Sequence, residues 1–211
     1  ARNVVGASLS CQAGADLKWI DWVSSRTDAD NIAVSQKTTD SIRFLDSCKK
    51  PTIALVQGGC FGGGTGIIAA CDIVIASEDA FFSISEVRWG LHAGPILPQL
   101  SAAMGTRNLR RYALTGERFA AETAKSLGLV HEVCPEGGLD EAARPIIETI
   151  LKNGPQAIAD TKRIISETMG LEIDDYHAKA LAGDHARKRQ TIEATEGLAS
   201  FREKREASWY L

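Results

Sequence analysis

The stretch Gly58–Gly66, GGCFGGGTG, has six glycines in nine residues and stands between two apolar runs. Glycine permits positive φ, lets a ligand approach the main chain, and leaves N–H groups uncovered where a strand turns into a helix. Such donors, aimed at one point, bind a phosphate or a developing oxyanion. The lysine of a phosphate loop and the G-x-G-x-x-G of a dinucleotide fold are both missing, so an oxyanion site fits better. A tight turn with close helix packing is the purely structural alternative.

The elements around the glycines can be predicted from the apolar pattern. Pro51–Gln57 (PTIALVQ) and Cys71–Ser77 (CDIVIAS) are short, rich in β-branched residues and bounded by turn formers, which predicts two buried strands. The intervening GGGTGIIAA is long enough only for one or two helical turns. Helical spacing is found upstream, in LKWIDWV and ADNIAVSQKTTDSIRFLDSCKK, and again from Pro95 onward. Three long amphipathic stretches are predicted between residues 138 and 209.

The composition excludes several classes of protein. With 211 residues, 44% hydrophobic and 24% charged, the chain is expected to form one globular domain with an appended helical part. A net charge of −3 gives no general attraction to nucleic acid or to an anionic membrane. No apolar run approaches the roughly 20 residues that span a bilayer, and no signal peptide is recognised. We therefore expect a small-molecule or protein partner, with no nucleic acid and no membrane.

The cysteines indicate a reducing compartment. There are five, an odd number without a C-x-x-C pair, which argues against a disulfide framework and against a zinc site. They are Cys11, Cys48, Cys60, Cys71 and Cys134. A cytoplasmic location and the absence of a metal are the corresponding expectations.

Three segments together resemble the crotonase superfamily of enoyl-CoA hydratases and isomerases. They are AGADLKW at 13–19, GGCFGGG at 58–64, and DIVIASEDAFFSISEVRWGL, which contains Glu86. LTGERFAAETAKSLGLVHEV and EGLASFREKREASW are similar to the C-terminal half of that family, so the resemblance covers essentially the whole chain. It implies an α/β fold of the crotonase type, with a ββα spiral core over residues 1–135 and a C-terminal helical trimerisation region over 136–211.

The resemblance also implies a reaction and a set of residues. The expected substrate is an acyl-CoA thioester, no separate cofactor is needed because coenzyme A belongs to the substrate, and the expected assembly is a homotrimer or homohexamer. The N–H groups of Ala15 and Gly63 would hold the thioester oxygen as it becomes an enolate, and Glu86 would move protons. The residues implied in substrate binding are Ala13, Asp16 and Leu17 near the adenine, Gly62 and Gly66 at the glycine turn, His92, Phe201 at the acyl pocket and Lys204 at the CoA.

One departure from the family pattern concerns a second carboxylate. Hydratases of the family use two glutamates to add water across C2=C3, and the position of the earlier glutamate falls on Gly66. Glu86 must then do both tasks or share them with another residue. Hydration or dehydration of a 2-enoyl-CoA is slightly preferred here. Isomerisation, hydratase-lyase chemistry on a bulky acyl-CoA and a catalytically weak CoA-ester-binding paralogue remain open.

Gly66 leads to an expectation about the pocket. Without a carboxylate at this position, the space above the acyl C3 should be roomier and less negative, which favours bulky or negatively charged acyl groups. Helix packing is the alternative reason for this glycine.

The histidines could supply the missing acid or base. His92 lies six residues after Glu86, and the ordinary histidine pKa near 6.5 suits proton transfer. A loop histidine bonded to backbone or solvent is the preferred interpretation of His92. His131, His177 and His185 show no partner in the sequence, so we expect them to be solvated.

The start of the chain also departs from the family pattern. Members of the family carry further residues before A-G-A-D that form the first strands of the spiral. We expect either that the sequence is truncated or that those strands were not retained, and an exposed sheet edge would then need cover.

Overall fold

A computed structural model of the protein describes residues 16–210. The chain divides into two compact units. Within the described residues, the first comprises 16–48 and 52–143, and the second comprises 49–51 and 144–210. The glycine turn and Glu86 belong to the first unit.

Residues 16–210 contain ten α-helices. Their bounds are α1 Leu17–Ser24, α2 Asp28–Asp46, α3 Gly63–Ala69, α4 Leu97–Met104, α5 Thr106–Thr115, α6 Ala121–Ser126, α7 Leu139–Leu151, α8 Pro155–Thr168, α9 Asp175–Lys188 and α10 Ile192–Glu203. The two helices predicted upstream of the glycines and the short helix predicted at the glycines are confirmed. So is the helical character of the segment after Pro95.

The described part of the chain also has six short strands. They are β1 Ile53–Val56, β2 Gly59–Phe61, β3 Ile73–Ser77, β4 Phe81–Ser83, β5 Phe119–Ala120 and β6 Glu132–Cys134. One sheet has the order β1-β3-β6 and is entirely parallel. In the other, β4 pairs in parallel with β2 and antiparallel with β5. The two predicted buried strands are confirmed as β1 and β3.

The glycine segment contains a strand that the sequence did not predict. Residues 59–61 form β2, with Gly59 opposite Phe81 and Phe61 opposite Ser83. The Phe61 ring packs over Gly59, where a Cβ would lie 2.7 Å from Cε2 of that ring. The chain therefore passes from β1 through β2, in a different sheet, before it reaches α3.

The core of the first unit is built around the strands and α3–α6. Phe82 on β4 is fully buried and stacks on Phe119 of β5, with ring centroids 5.6 Å apart. The other large side chains with almost no exposure include Ile68, Ile75, Ile84, Leu100 and Leu129. Because Ile84 and Phe82 are buried on either side of Ser83, the backbone that leads to Glu86 is fixed by packing.

Four helices occupy residues 139–203, where the sequence predicted three amphipathic stretches. The break between α7 and α8 falls at Gly154, followed by Pro155 in the first turn of α8. The Glu193 carboxylate accepts hydrogen bonds from the N–H groups of Gln156 (2.7 Å) and Ala157 (2.8 Å). A distant carboxylate thus caps α8, which the local sequence does not reveal.

No helix of residues 16–210 combines the length and apolar character needed to cross a bilayer.

Substitution of Phe82 by alanine should lower the free energy of unfolding by about 3–5 kcal/mol, since it removes a fully buried ring. The neighbouring Phe81 is the matched control, because its ring is only partly buried and lies against Phe61 and the Arg118 guanidinium. Phe81→Ala should cost clearly less in urea denaturation. Equal losses of unfolding free energy in the two variants would contradict the inward orientation of Phe82.

Candidate active site

The turn between β2 and α3 is held by hydrogen bonds to Gly62. Its N–H donates to the carbonyl of Ser83 on β4 (2.9 Å), and its carbonyl accepts from the Thr65 N–H (2.9 Å) and the Thr65 hydroxyl (2.7 Å). Gly62 has φ +51°, a conformation that favours glycine. The buried Thr65 side chain thereby fixes the direction in which the following peptide points.

Gly63, the first residue of α3, is open on the side where a side chain would stand. A Cβ there would meet nothing within 4 Å. Within residues 16–210 the Gly63 N–H has no hydrogen-bond acceptor, as expected for a donor in the first turn of a helix. The peptide can therefore donate to a ligand, as the sequence predicts for an oxyanion-binding group.

Parallel pairing of β2 with β4 brings Glu86 to this turn. Phe61 lies opposite Ser83, so the residues that follow both strands emerge at the same sheet edge. Glu86 opens a 3₁₀ turn, Glu86–Trp89, which ends at Gly90 with φ +71°. The Glu86 carbonyl accepts from the Leu91 N–H at 3.1 Å, which closes the turn.

The Glu86 carboxylate lies against Gly62. Its Oε1 is 3.0 Å from the position that a Cβ would occupy on Gly62. Oε2 is buried, and within residues 16–210 it has no hydrogen-bond partner. Burial raises the pKa of Glu86, and a backbone hydrogen bond at Glu86 itself opposes part of that rise. A carboxyl with a raised pKa and an unused oxygen is suited to take up and return a proton.

The surroundings of Gly66 contradict the expectation of a roomier pocket. A Cβ at Gly66 would lie 2.0 Å from Cγ2 and 2.4 Å from Cβ of Ile96, which is itself buried. The space beside Gly66 is filled by an apolar side chain, so the expected opening is wrong. The alternative held open in the sequence, close packing, explains this glycine. A glutamate introduced at residue 66 alone would collide with Ile96.

His92 forms a hydrogen bond within its own loop. Its Nδ1 accepts a hydrogen bond from the Gly94 N–H at 3.1 Å, and the side chain is exposed. The preferred interpretation, a loop histidine bonded to backbone, is confirmed. Two other histidines do have partners, contrary to expectation: His131 Nδ1 accepts from the Val74 N–H at 3.0 Å, and His177 Nδ1 contacts Asp174 Oδ1 at 2.6 Å.

The remaining six predicted site residues belong to the start of the chain or to the second unit. Ala13 and Ala15 lie outside the described residues. Asp16 caps α1, where its Oδ1 accepts from the Lys18 N–H at 2.9 Å, and Leu17 is the first residue of that helix. In the second unit, Phe201 is exposed on α10 and Lys204 ends that helix with φ +54°. Their roles stay predictions.

Two residues of the site were missed in the sequence. The role of Thr65 could have been predicted, since the hydroxyl of a threonine in the first turn of a helix can donate a hydrogen bond to a carbonyl three residues earlier. The role of Ile96 could not have been predicted from the sequence, because its proximity to Gly66 depends on how the 3₁₀ turn Gly94–Ile96 approaches α3. Among residues 16–210, no group of three or more His, Cys, Asp or Glu is placed to hold a metal ion.

Replacing Glu86 by glutamine should stabilise the fold at neutral pH. Because burial raises the pKa of Glu86, the folded chain gains stability as the carboxyl takes up a proton, and the gain is complete below the ordinary value of 4.5. The stabilisation by Glu86→Gln should therefore be largest near pH 7 and shrink towards pH 4.5. Thermal unfolding over this pH range measures it, with the exposed Glu78→Gln as control. A variant less stable than the wild type at pH 7 would contradict the desolvation of Glu86.

The comparisons with known proteins show the family to which the chain belongs. Residues 10–210 match the family Enoyl-CoA hydratase/isomerase. The mevalonyl-coenzyme A hydratase sidH of Aspergillus fumigatus is 32% identical over 218 residues, which cover 98% of this chain and 76% of that protein. A peroxisomal Δ(3,5)-Δ(2,4)-dienoyl-CoA isomerase of Arabidopsis thaliana is 38% identical over 143 residues, covering 65% of this chain and 51% of that protein.

The fold has close counterparts among solved structures. An enoyl-CoA hydratase from Shewanella pealeana superposes with a TM-score of 0.92 at 40% identity, over 96% of this chain and 76% of that one. The predicted crotonase-type fold and the predicted family are therefore both confirmed. This chain belongs to the enoyl-CoA hydratase/isomerase family.

Proposed function

We propose that the protein binds an acyl-CoA thioester and uses Glu86 to move protons at C2 and C3, with hydration or dehydration of a 2-enoyl-CoA as the principal reaction. The observation that carries this proposal is the half-buried Glu86 carboxylate, which lies against Gly62 and whose buried Oε2 has no hydrogen-bond partner within residues 16–210. Membership of the family supports an acyl-CoA as the substrate.

The Gly63 N–H supplies the second part of the proposed mechanism. A thioester oxygen that accepts from this N–H would carry the negative charge of an enolate, and a donor of this kind typically contributes about 10²–10³ in rate. The Ala15 N–H is the proposed second donor. Since Gly63 has no side chain, the thioester can approach its peptide closely.

In the proposed hydration, the single carboxyl group of Glu86 carries out both proton transfers. Ionised Glu86 accepts a proton from water as the oxygen bonds to C3, and the same proton passes to C2 as the enolate collapses. Activity therefore requires the ionised form and should fall as the pH drops through the raised pKa of Glu86. Contacts of Ala13, Asp16, Leu17 and Lys204 with the CoA portion, and of Phe201 with the acyl chain, complete the proposal.

Isomerisation is the second candidate. A 1,3-proton shift needs only one acid–base group, and no carboxylate stands at Gly66, where packing against Ile96 excludes a side chain. Relatives of this chain carry both names, a hydratase in Aspergillus fumigatus and a dienoyl-CoA isomerase in Arabidopsis thaliana. Assays with a 2-enoyl-CoA in water and with a 3-enoyl-CoA distinguish the two reactions.

Glu86→Gln should abolish turnover while CoA-ester binding stays within a few fold. The amide keeps the volume of the side chain but cannot transfer the proton, so kcat for crotonyl-CoA should fall by about 10²–10⁴. Enoyl absorbance reports turnover, and calorimetry with a saturated acyl-CoA reports binding. Glu78→Gln is the control and should match the wild type. More than about a tenth of wild-type activity in Glu86→Gln would remove Glu86 from the mechanism, and a wild type that binds acyl-CoA without turnover would indicate a catalytically weak paralogue.

Self-association is the proposed quaternary state. Neither α8 nor α9 has a buried residue, and the segment from the end of α8 into α9 exposes large apolar side chains. These are Ile165, Met169, Leu171, Ile173 and Tyr176. An apolar surface of this kind is typical of a subunit interface, and we propose a homotrimer or a dimer of trimers.

Light scattering at micromolar concentration should give a mass of about 68 kDa, three times the 22.7 kDa of one chain, or twice that value. Ile165→Asp should shift the distribution towards smaller species, because it places a charge on the exposed apolar surface. A wild-type mass of 22.7 kDa would contradict the proposed assembly.

A further inference from the structure

Ser83, the last residue of β4, is hydrogen-bonded on two sides. Its carbonyl accepts from the Gly62 N–H at 2.9 Å, at the turn that precedes α3. Its hydroxyl, on a side chain that is 2% exposed, donates to the carbonyl of Gly116 at 2.9 Å. The ladder between β4 and β5 ends one residue earlier, at Phe82 and Phe119. The hydroxyl of Ser83 therefore continues the link beyond the end of the sheet.

Gly116, which accepts this hydrogen bond, is itself held by the core. It follows the last residue of α5 with φ +61°, a conformation that favours glycine, and its N–H donates to the Tyr112 carbonyl at 3.0 Å. Tyr112 is buried and packs on the Phe119 ring, with the ring centroids 4.4 Å apart. The carbonyl to which Ser83 donates therefore belongs to a residue with a fixed position.

The turn that carries Glu86 returns to the same glycine. Nε and Cγ of Arg88 lie 3.0 and 3.3 Å from the position that a Cβ would occupy on Gly116, and α5 packs against this 3₁₀ turn. Residues 83–88 thus form a short loop with both ends at Gly116. Glu86 lies within this loop, and its carboxylate lies against Gly62.

We infer that Ser83 is a positioning residue for Glu86: its hydroxyl, together with the aliphatic part of Arg88, holds the loop 83–88 on Gly116 and keeps the carboxylate against Gly62. A displacement of a reacting group by about 1 Å can cost on the order of 100-fold in rate. The effect on proton transfer rests on the proposed function. The effect on the burial of Glu86 does not.

A double-variant cycle tests the positioning without any assay of activity. Glu86→Gln is expected to raise Tm at pH 7, because it removes a carboxylate from a partly buried position. In a Ser83→Ala background the loop should loosen and admit water to residue 86. The gain in Tm from Glu86→Gln should then be less than about half of its value in the wild type.

Ser77→Ala is the matched control for this cycle. Ser77 is also the last residue of a strand, β3, and is 1% exposed, but within residues 16–210 its Oγ has no hydrogen-bond partner. The gain from Glu86→Gln should be the same in the Ser77→Ala background as in the wild type. An undiminished gain in the Ser83→Ala background, or no gain in the wild type, would overturn the inference.

Arg88 provides a second test at an exposed position, which also serves if Ser83→Ala does not fold. Arg88→Ala removes the atoms that cover Gly116, whereas Arg88→Met keeps a chain of similar shape without the charge. The gain in Tm from Glu86→Gln should fall in the Arg88→Ala background and be retained in the Arg88→Met background. Equal gains in the two backgrounds would contradict the packing of the loop on Gly116.

The charged groups around Glu86 do not account for its raised pKa. The adjoining β2, β4 and α3 carry no charged residue. The charged side chains on the same turn and on α5 are Arg88, Arg107, Arg110 and Arg111. Burial raises the pKa of Glu86, and within residues 16–210 no neighbouring charge contributes to the rise. A change in the pKa of Glu86 in Ser83→Ala therefore reports a change in its burial.

Rate measurements test the catalytic consequence. In Ser83→Ala, kcat for crotonyl-CoA should fall at least about tenfold, while calorimetric affinity for a saturated acyl-CoA stays within about threefold. The acid limb of kcat/KM should move to lower pH, because access of water lowers the pKa of Glu86 towards its ordinary value of 4.5. Ser77→Ala should match the wild type in all three measurements. A folded Ser83→Ala protein with the kcat and the acid limb of the wild type would contradict the positioning role.

The two proposals fail in different ways. A wild type without hydration or isomerisation activity would overturn the proposed function, and the Tm cycle alone would then decide whether Ser83 holds Glu86 in place. An active wild type, with the same gain in Tm in the Ser83→Ala background, would overturn only the role of Ser83.

Discussion

The partial burial of the Glu86 carboxylate against Gly62 is the constraint on which the site depends. Removing a carboxylate from water raises its pKa, and within residues 16–210 no partner compensates Oε2. The surrounding fold tolerates this cost because the backbone on both sides of the contact is fixed. Gly62 is tied to Ser83 and Thr65, and Glu86 follows directly from a strand whose Phe82 and adjoining Ile84 are fully buried. The result is a partly desolvated carboxyl group held beside the glycine turn.

Three glycines near the site differ in what their missing side chains allow. Gly62 has a positive φ and lies against the carboxylate, Gly63 leaves its N–H approachable, and Gly66 makes room for Ile96. The same segment therefore combines conformation, ligand access and packing. This explains why the chain accepts the large loss of backbone freedom that six glycines bring on folding.

The sequence predicted features that depend on residues close together in the chain. The apolar runs predicted β1 and β3, the glycines predicted the start of α3, and Glu86 was identified from its surrounding motif. Contacts between distant segments were not predictable. The capping of α8 by Glu193 and the filling of the space beside Gly66 by Ile96 both join residues that no local pattern connects. The role of Gly66 was misjudged for this reason, since a missing carboxylate in the sequence does not say what fills the space.

The central claim is that Glu86 exchanges protons with C2 of a thioester whose oxygen is held at the glycine turn, delivering one in hydration and removing one in the reverse reaction. Exchange of the C2 protons of butyryl-CoA in D₂O, followed by proton NMR, tests it most directly, because a saturated thioester can be neither hydrated nor isomerised. The wild type should catalyse this exchange, and Glu86→Gln should do so at least about 100-fold more slowly. Equal exchange rates in the two proteins would contradict the account.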